Sequence, residues 1–324
     1  MNPHQIAYLV FGAVLVLALI FDLGLLSKKN QKVTIKQALV QTLFWVALAM
    51  GFFVFMWLQE GHKPALEYLS AYLMEWSLSI DNIFVFIIIF TAFKVKEKFY
   101  GRVLLIGILM AILFRVAFIT VGVAIVEKAE WVLYGFGAFL LYTGYKMFTA
   151  TDDEEFKPQE SKVYKFMQRL LPLVHHDGDG KYFIRENGKK FYTSLFVVVM
   201  MLAAIDLVFA LDSIPAVMGI SRDKLVIYSS NIFAVLGLRS LFFLLRGAVS
   251  KFDYLQQGIA IVLVFIGAKM LGEHYISQWL SKSVQTYISL GVIVVCITGS
   301  ILYSIAVQKK GEPADSDDME RIAN

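Results

Sequence analysis

Cysteine is almost missing from this chain: among 324 residues there is one, Cys296. A single thiol excludes an intrachain disulfide framework and a thiolate metal cluster. Histidine is scarce as well, with five residues, at 4, 62, 175, 176 and 274. All five fall in expected termini or loops, so no imidazole is placed to act at the centre of an apolar span. The chain has no GxxxxGK[ST] phosphate loop, which removes an evident ATP drive. It also has no nucleophile–base set and no cofactor motif, so an enzyme is not expected. Charged residues are thin at 17%, against about 25% in a soluble domain.

What replaces charge is hydrocarbon. The chain is 58% hydrophobic, with a mean hydropathy of +0.65. The excess comes in runs of roughly 20 residues, the length that crosses about 30 Å of hydrocarbon. Nine runs are expected: about 5–26, 38–58, 66–93, 102–126, 130–149, 192–220, 224–246, 253–272 and 284–307. The fold class is therefore an all-α membrane protein with nine transmembrane helices. The first run lacks a basic leader and a small-residue cleavage site, so it reads as a retained helix. Basic residues gather in alternate loops: SKKNQKVTIKQ, Lys94 to Arg102, 151–191, and Lys309 with Lys310. By the positive-inside rule the N-terminus lies outside and the C-terminus in the cytoplasm. The net charge of +4 is then a matter of orientation in the bilayer, and no nucleic-acid partner is expected.

The sequence repeats itself. EWSLSIDNIFVF, a run carrying Arg115, and FGAFLLYTGYKM are followed later by DLVFALDSIPAV, a run carrying Arg239, and IVLVFIGAKM. Glu75 matches Asp206, Asp81 matches Asp212, Asn82 matches Ser213, and GYKM at 144–147 matches GAKM at 267–270. Each copy holds three helices, about 66–150 and 192–275. An odd number makes the second enter from the opposite side, the inverted-repeat plan of many transporters. The alternative is a scaffold duplicated for packing alone. Residues 1–310 read as one transmembrane domain. Residues 151–191 read as a cytoplasmic loop with a small hairpin at Asn187-Gly188, and 311–324 as a disordered tail. HHDGDG at 175–180 has two readings, a metal site or ordinary Asp-Gly turns.

Glu75, Asp81, Asp206, Asp212, Arg115 and Arg239 all lie inside the expected spans. Six uncompensated charges there would cost on the order of 15 kcal/mol. They must compensate one another, line water, or bind something. Four acids and two arginines leave −2, which a divalent cation would neutralise; protonation would also remove it. Helical geometry divides the first motif. Six residues at roughly 100° each set Glu75 and Asp81 about 120° apart, while Glu75, Ser79 and Asn82 share a face. Both acids reach one ion only if the helix bends. In the second copy Pro215 supplies a cause, since it leaves the Leu211 carbonyl without its partner. Otherwise the two acids of a motif serve different tasks, one held by an arginine and one on the ion.

Carboxylates, an amide, hydroxyls and carbonyls are hard ligands that suit Mg²⁺, Ca²⁺ or Mn²⁺. The candidate metal site is Glu75, Asp81, Asn82, Asp206, Asp212 and Ser213. Met74, Met200 and Met201 lie nearby and read as packing. Arg115 and Arg239 are candidate counter-ions, or groups that release a carboxylate as a carrier switches. Asp22 is either an ion gate or an interfacial acid. Lys146 and Lys269 lie near helix ends, where they can snorkel.

YLMEWSLSIDNIFVF, FGAFLLYTGYKM, YFIRENGKKFYTSL, DLVFALDSIPA, SNIFAVLGLRSLFFLL and IGAKM resemble the TerC/Alx family of bacterial membrane proteins, over about residues 10–307. The resemblance implies a nine-helix, LysE-like transporter of the inner membrane linked to manganese export. It also implies an older association with tellurite resistance and, for Alx-type members, with alkaline pH and manganese-dependent control of expression. It places the family's functional acids at Glu75, Asp81, Asp206 and Asp212, beside Asn82 and Ser213. The sequence departs from the family at Ala203, where a Glu is common; that side chain would point within about 60° of Asp206. The expected activity is export of Mn²⁺, with Ca²⁺ or Mg²⁺ left open by ligand type, and without a prosthetic group. Moving a divalent cation out of a negative-inside cell costs about 4.6 kcal/mol per 100 mV, so inward flow of protons is the expected counter-current. The alternative is a non-transporting membrane scaffold for metal-stress or tellurite-resistance complexes. Oligomeric state is not legible.

Overall fold

The computed structural model describes residues 3–26, 33–149, 158–186, 188–246 and 254–311, except for the side chains of 3, 22–26, 80, 81, 84, 282 and 308–311. The expected disordered tail beyond 311 and the acidic start of the loop, 151–157, lie outside the described residues.

A helix stands at each place where an apolar run is expected. These are α1 (Pro3–Leu26), α2 (Ile35–Gln59), α3 (His62–Ala92), α4 (Glu97–Lys128), α5 (Val132–Thr149), then α7 (Ser194–Ile220), α8 (Lys224–Leu236) with α9 (Leu238–Leu245), α10 (Leu255–Trp279) and α11 (Lys282–Gly311). Among the described residues six of these are long and apolar enough to cross a membrane, or seven if α8 and α9 form one span. α3 and α5 are outside that six. In α3 the described side chains are interrupted at 80, 81 and 84, and α5 is diluted by Gly, Tyr and Lys146. The outward faces are those of a bilayer protein: Leu17, Leu58 and Val295 are 66%, 75% and 69% exposed. Apolar surface on that scale would not be left to water.

Local chemistry sets the ends. Thr34 and Gln37 form a reciprocal capping box at the start of α2, which satisfies two backbone donors that the helix leaves open. Asp223 caps α8 through the amides of Leu225 and Val226. α7 runs as one helix through Pro215, so the helix does not unwind there. The break falls in the next span, at Gly237, where α8 and α9 meet at 40°. Glycine is the weakest helix former after proline.

α3 packs on α8, α4 on α7, and α5 on α10. The last pair is antiparallel and very close. A Cβ on Gly137 would stand 3.1 Å from the Gly267 carbonyl, and one on Gly144 would stand 2.8 Å from the Ala260 carbonyl. Small residues allow this approach, as in other membrane helix pairs. Between α5 and α7 come α6 (Lys162–Leu170) and the hairpin β1 (Phe183–Glu186) and β2 (Lys189–Tyr192), with Glu186 opposite Lys189 across a two-residue turn. Gly188 has φ +77°, the conformation a tight hairpin turn asks of it. The end of α5, the start of α7 and this hairpin share one face, called here the hairpin face. The far face carries the start of α3 and the end of α7.

Candidate functional site

The helical pitch brings Glu75, Ser79 and Asn82 to one side of α3, where they are 0%, 0% and 2% exposed. α4 supplies Arg115, 1% exposed, from its middle, and α7 supplies Asp206, also 1% exposed. Arg115 Nε and Nη2 donate to the two carboxylate oxygens of Asp206 at 2.8 and 3.0 Å. Its Nη1 donates to Glu75 Oε2 at 2.6 Å and to Asn231 Oδ1, from α8, at 3.2 Å. Asn231 Nδ2 donates to the Ile227 carbonyl at 3.0 Å, which turns its oxygen towards the guanidinium. The planar fork of arginine suits this two-sided grip, which a lysine would not reproduce. Two carboxylates and one guanidinium leave the triad at −1.

The structure therefore assigns Glu75 and Asp206 to the same arginine, across three helices. α3 is unbroken, so of the two alternatives for its motif it is the second that describes Glu75: it is the acid held by an arginine. The side chains of Asp81 and Asp22 lie outside the described residues. Arg239 is buried on α9 at 5% exposed. Ala203 is fully buried on α7, three residues before Asp206.

Beside the triad is a cavity of about 270 Å³ lined by Asn82, Arg115, Thr143, Asp212, Ser213 and apolar neighbours, with Lys146 and Gln256 towards the hairpin face. Asp212 is only partly buried, and its Oδ1 accepts from Thr143 Oγ1 at 3.2 Å. Asn82 and Ser213, matched in the two sequence copies, line this one cavity. Four buried polar atoms in this region have no hydrogen-bond partner among the described residues: Glu75 Oε1, Ser79 Oγ, Asn82 Nδ2 and Ser213 Oγ. Buried polar groups are satisfied as a rule, and leaving four unmet costs roughly 1–3 kcal/mol each. Of the four residues, Asn82 and Ser213 line the cavity.

Among the described residues, no three of Asp, Glu, His and Cys converge as a ready metal cluster. The reason is visible: Arg115 engages two acids, and Asp212 stands apart on the cavity wall. Asn231, Thr143 and Gln256 were not singled out in the sequence. The signal for Asn231 is its place in SNIFAVLGLRS, a polar amide inside an apolar run; Thr143 sits in the quoted YTGYKM. Met201 accepts from Ser161 Oγ at 3.7 Å, against the hairpin-face loop, and Met74 is packed in the core. HHDGDG forms a turn. Asp177 accepts from the Asp179 amide and pairs with Lys96 at 2.6 Å, and this lysine holds the Asp177 carboxyl below its usual range.

The integral membrane protein TerC family matches residues 60–312. A membrane protein of Myxococcus xanthus is 38% identical over 95% of this chain and 94% of its own length. A membrane protein of Rickettsia bellii is 38% identical over 92% of this chain and 97% of its own. Alx of Escherichia coli strain K12, which bears the provisional name of membrane-bound redox modulator, is 37% identical over 81% of this chain and 84% of its own. No solved structure matches. The buried charges and the apolar helices that carry them thus sit in a shared sequence framework, and the chain belongs to the TerC family of integral membrane proteins.

Proposed function

We propose that this protein exports a divalent metal cation, Mn²⁺, from the cytoplasm in exchange for protons, through the cavity between α3, α5 and α7 that Asp212, Asn82, Ser213 and Thr143 line. The observation that carries the reading is the Asp212 carboxylate on a cavity that Asn82 and Ser213 also line, with the Ser213 hydroxyl unpartnered among the described residues. Asp212 supplies the carboxylate; the Asn82 carbonyl and the Ser213 and Thr143 hydroxyls supply neutral oxygens. Such a set suits a hard cation that keeps part of its water shell. Asp81, adjacent to Asn82, is retained as a ligand on sequence grounds.

Arg115 sets the electrostatics. It holds Glu75 and Asp206 while the site is empty, and it is free to yield one of them when a cation adds its own charge. Protons then replace the metal on the acids for the return step. At Ala203 a glutamate would stand next to Asp206; without it the triad has one acceptor fewer than the family commonly provides.

Inverted repeats fit this mechanism, and they rest on the sequence match of the two acid motifs and of GYKM with GAKM. We read the hairpin face as cytoplasmic from its basic residues, with the N-terminus outside, in a bacterial inner membrane. The redox role in the name of the Alx relatives has no intrachain dithiol to rest on here, since Cys296 is the sole cysteine.

Calorimetry on purified protein tests the site. Mn²⁺ binding should weaken at least about tenfold in Asp212→Asn, and unchanged binding overturns the assignment. In liposomes an imposed pH gradient should accelerate Mn²⁺ movement; equal rates without it remove the proton coupling. Deleting 158–191 while keeping the acids should leave transport in place, whereas a scaffold would lose its role.

A further inference from the structure

On the far face a second cavity of about 230 Å³ is lined by Lys63, Glu67, Ser221, Arg222, Lys269 and Glu273, among others. None of the site residues on the first cavity reaches it. Its carboxylates are already engaged: Glu67 Oε2 accepts from Ser221 Oγ at 2.5 Å, and Glu273 faces Arg222 at 3.4 Å. Lys269 is different. Its ammonium, only partly buried, donates to the Gly219 carbonyl at 3.3 Å and to Ser289 Oγ at 3.1 Å. Gly219 belongs to the last turn of α7, where carbonyls lack helical partners and the helix dipole favours a cation. One side chain on α10 thereby ties the end of α7 to α11.

The repeat match makes Lys269 the counterpart of Lys146. The two stand in unlike states. Lys146 is exposed at the mouth of the cavity that reaches Asn82, Asp212 and Ser213. Lys269 is fastened across a cavity that stops short of them. From Glu67 on the far cavity to Glu75 in the triad is eight residues of α3, roughly 12 Å. That interval includes Ala71, fully buried on the same face of the helix.

We propose that the far cavity is the second mouth of the cation path, that this conformation is open towards the hairpin face and shut towards the far face, and that Lys269 is the positioning residue of the far gate. It rests on the transport reading above. The ammonium holds the end of α7 against α10 and α11; when it lets go, the seal around Ala71 opens and the site gains access from the far side. While fastened, its charge also opposes return of a cation through that mouth.

The test is thiol accessibility, which needs no metal. In a Cys296→Ser background, Ala71→Cys is exposed in oriented vesicles to a membrane-impermeant thiol reagent. Lys269→Met, which keeps the stem and removes the donors, should label about tenfold faster from the far side, as loss of two charge-assisted hydrogen bonds implies. Labelling from the hairpin side should not change. Lys269→Arg should restore slow labelling, a rescue that a space-filling role would not single out. Ser289→Ala, a milder change that removes one acceptor, should give a smaller increase in the same direction and covers the case in which the methionine variant does not fold. Equal far-side rates in the Lys269 and Ser289 variants and the parent overturn the gate. Mn²⁺ flux measured on the parent protein stands or falls separately, so failure of transport and failure of the gate are told apart.

Discussion

Replacing Arg115 by methionine removes the one cation between Glu75 and Asp206 while keeping much of the side chain's volume. Four hydrogen bonds are lost, three of them to carboxylates at 2.6, 2.8 and 3.0 Å. Glu75 and Asp206 are left at 0% and 1% exposed, now facing each other as like charges. Breaking a buried pair in this way costs about 3–5 kcal/mol. For a chain of this length that corresponds to a fall in Tm of about 5 °C. The assay is thermal unfolding in detergent, followed by tryptophan emission and by the monodisperse fraction in size exclusion.

The same reasoning makes a stronger claim about combinations. Arg115→Met with Asp206→Asn should recover about 2–3 kcal/mol relative to the sum of the single changes, since the two groups touch. Arg115→Met, Glu75→Gln and Asp206→Asn together leave no charge in the triad and should return to within about 2 kcal/mol of the parent, while Mn²⁺ transport is lost. Arg115→Lys keeps the charge but not the fork, and should lie between. A fall below about 2 °C in Arg115→Met, with no coupling to Asp206→Asn, would refute the view that this arginine neutralises both acids.

Further outcomes follow from other contacts. Thr143→Val removes the donor to Asp212 Oδ1 and should weaken Mn²⁺ binding about fivefold by calorimetry. Gly144→Ala puts a Cβ 2.8 Å from the Ala260 carbonyl and from Val264, and should cost about 1–3 kcal/mol through overpacking between α5 and α10, read as a lowered Tm. Lys96 lowers the Asp177 carboxyl chiefly through their hydrogen bond. That pair therefore supports the hairpin-face loop above the usual carboxylate range and loses its effect as pH falls through the depressed value. Protection of the β1 and β2 amides from hydrogen exchange, corrected for the intrinsic pH dependence of exchange, should fall in acid, and Asp177→Asn should flatten this dependence.

The parts of this molecule that were legible from sequence are those fixed by local rules. Bilayer thickness dictates run length, so helices were foreseeable at all nine places. Asn187-Gly188 predicts a hairpin, and β1 and β2 form one. Helical pitch alone put Glu75, Ser79 and Asn82 on a single face. What was not legible is choice among distant partners. Arg115 lies 40 residues from Glu75 and 91 from Asp206, and nothing in spacing says that one guanidinium will take both. The sequence presents Glu75 and Asp206 as equivalents in two copies, which invites assigning each to its own copy's arginine. The fold instead packs α4 on α7, so Arg115 reaches Asp206 as well as Glu75. Pro215 does not interrupt α7, because a proline removes one hydrogen bond but does not oblige a packed helix to unwind. Gly237, with no side chain to hold its turn in place, is where the chain gives way.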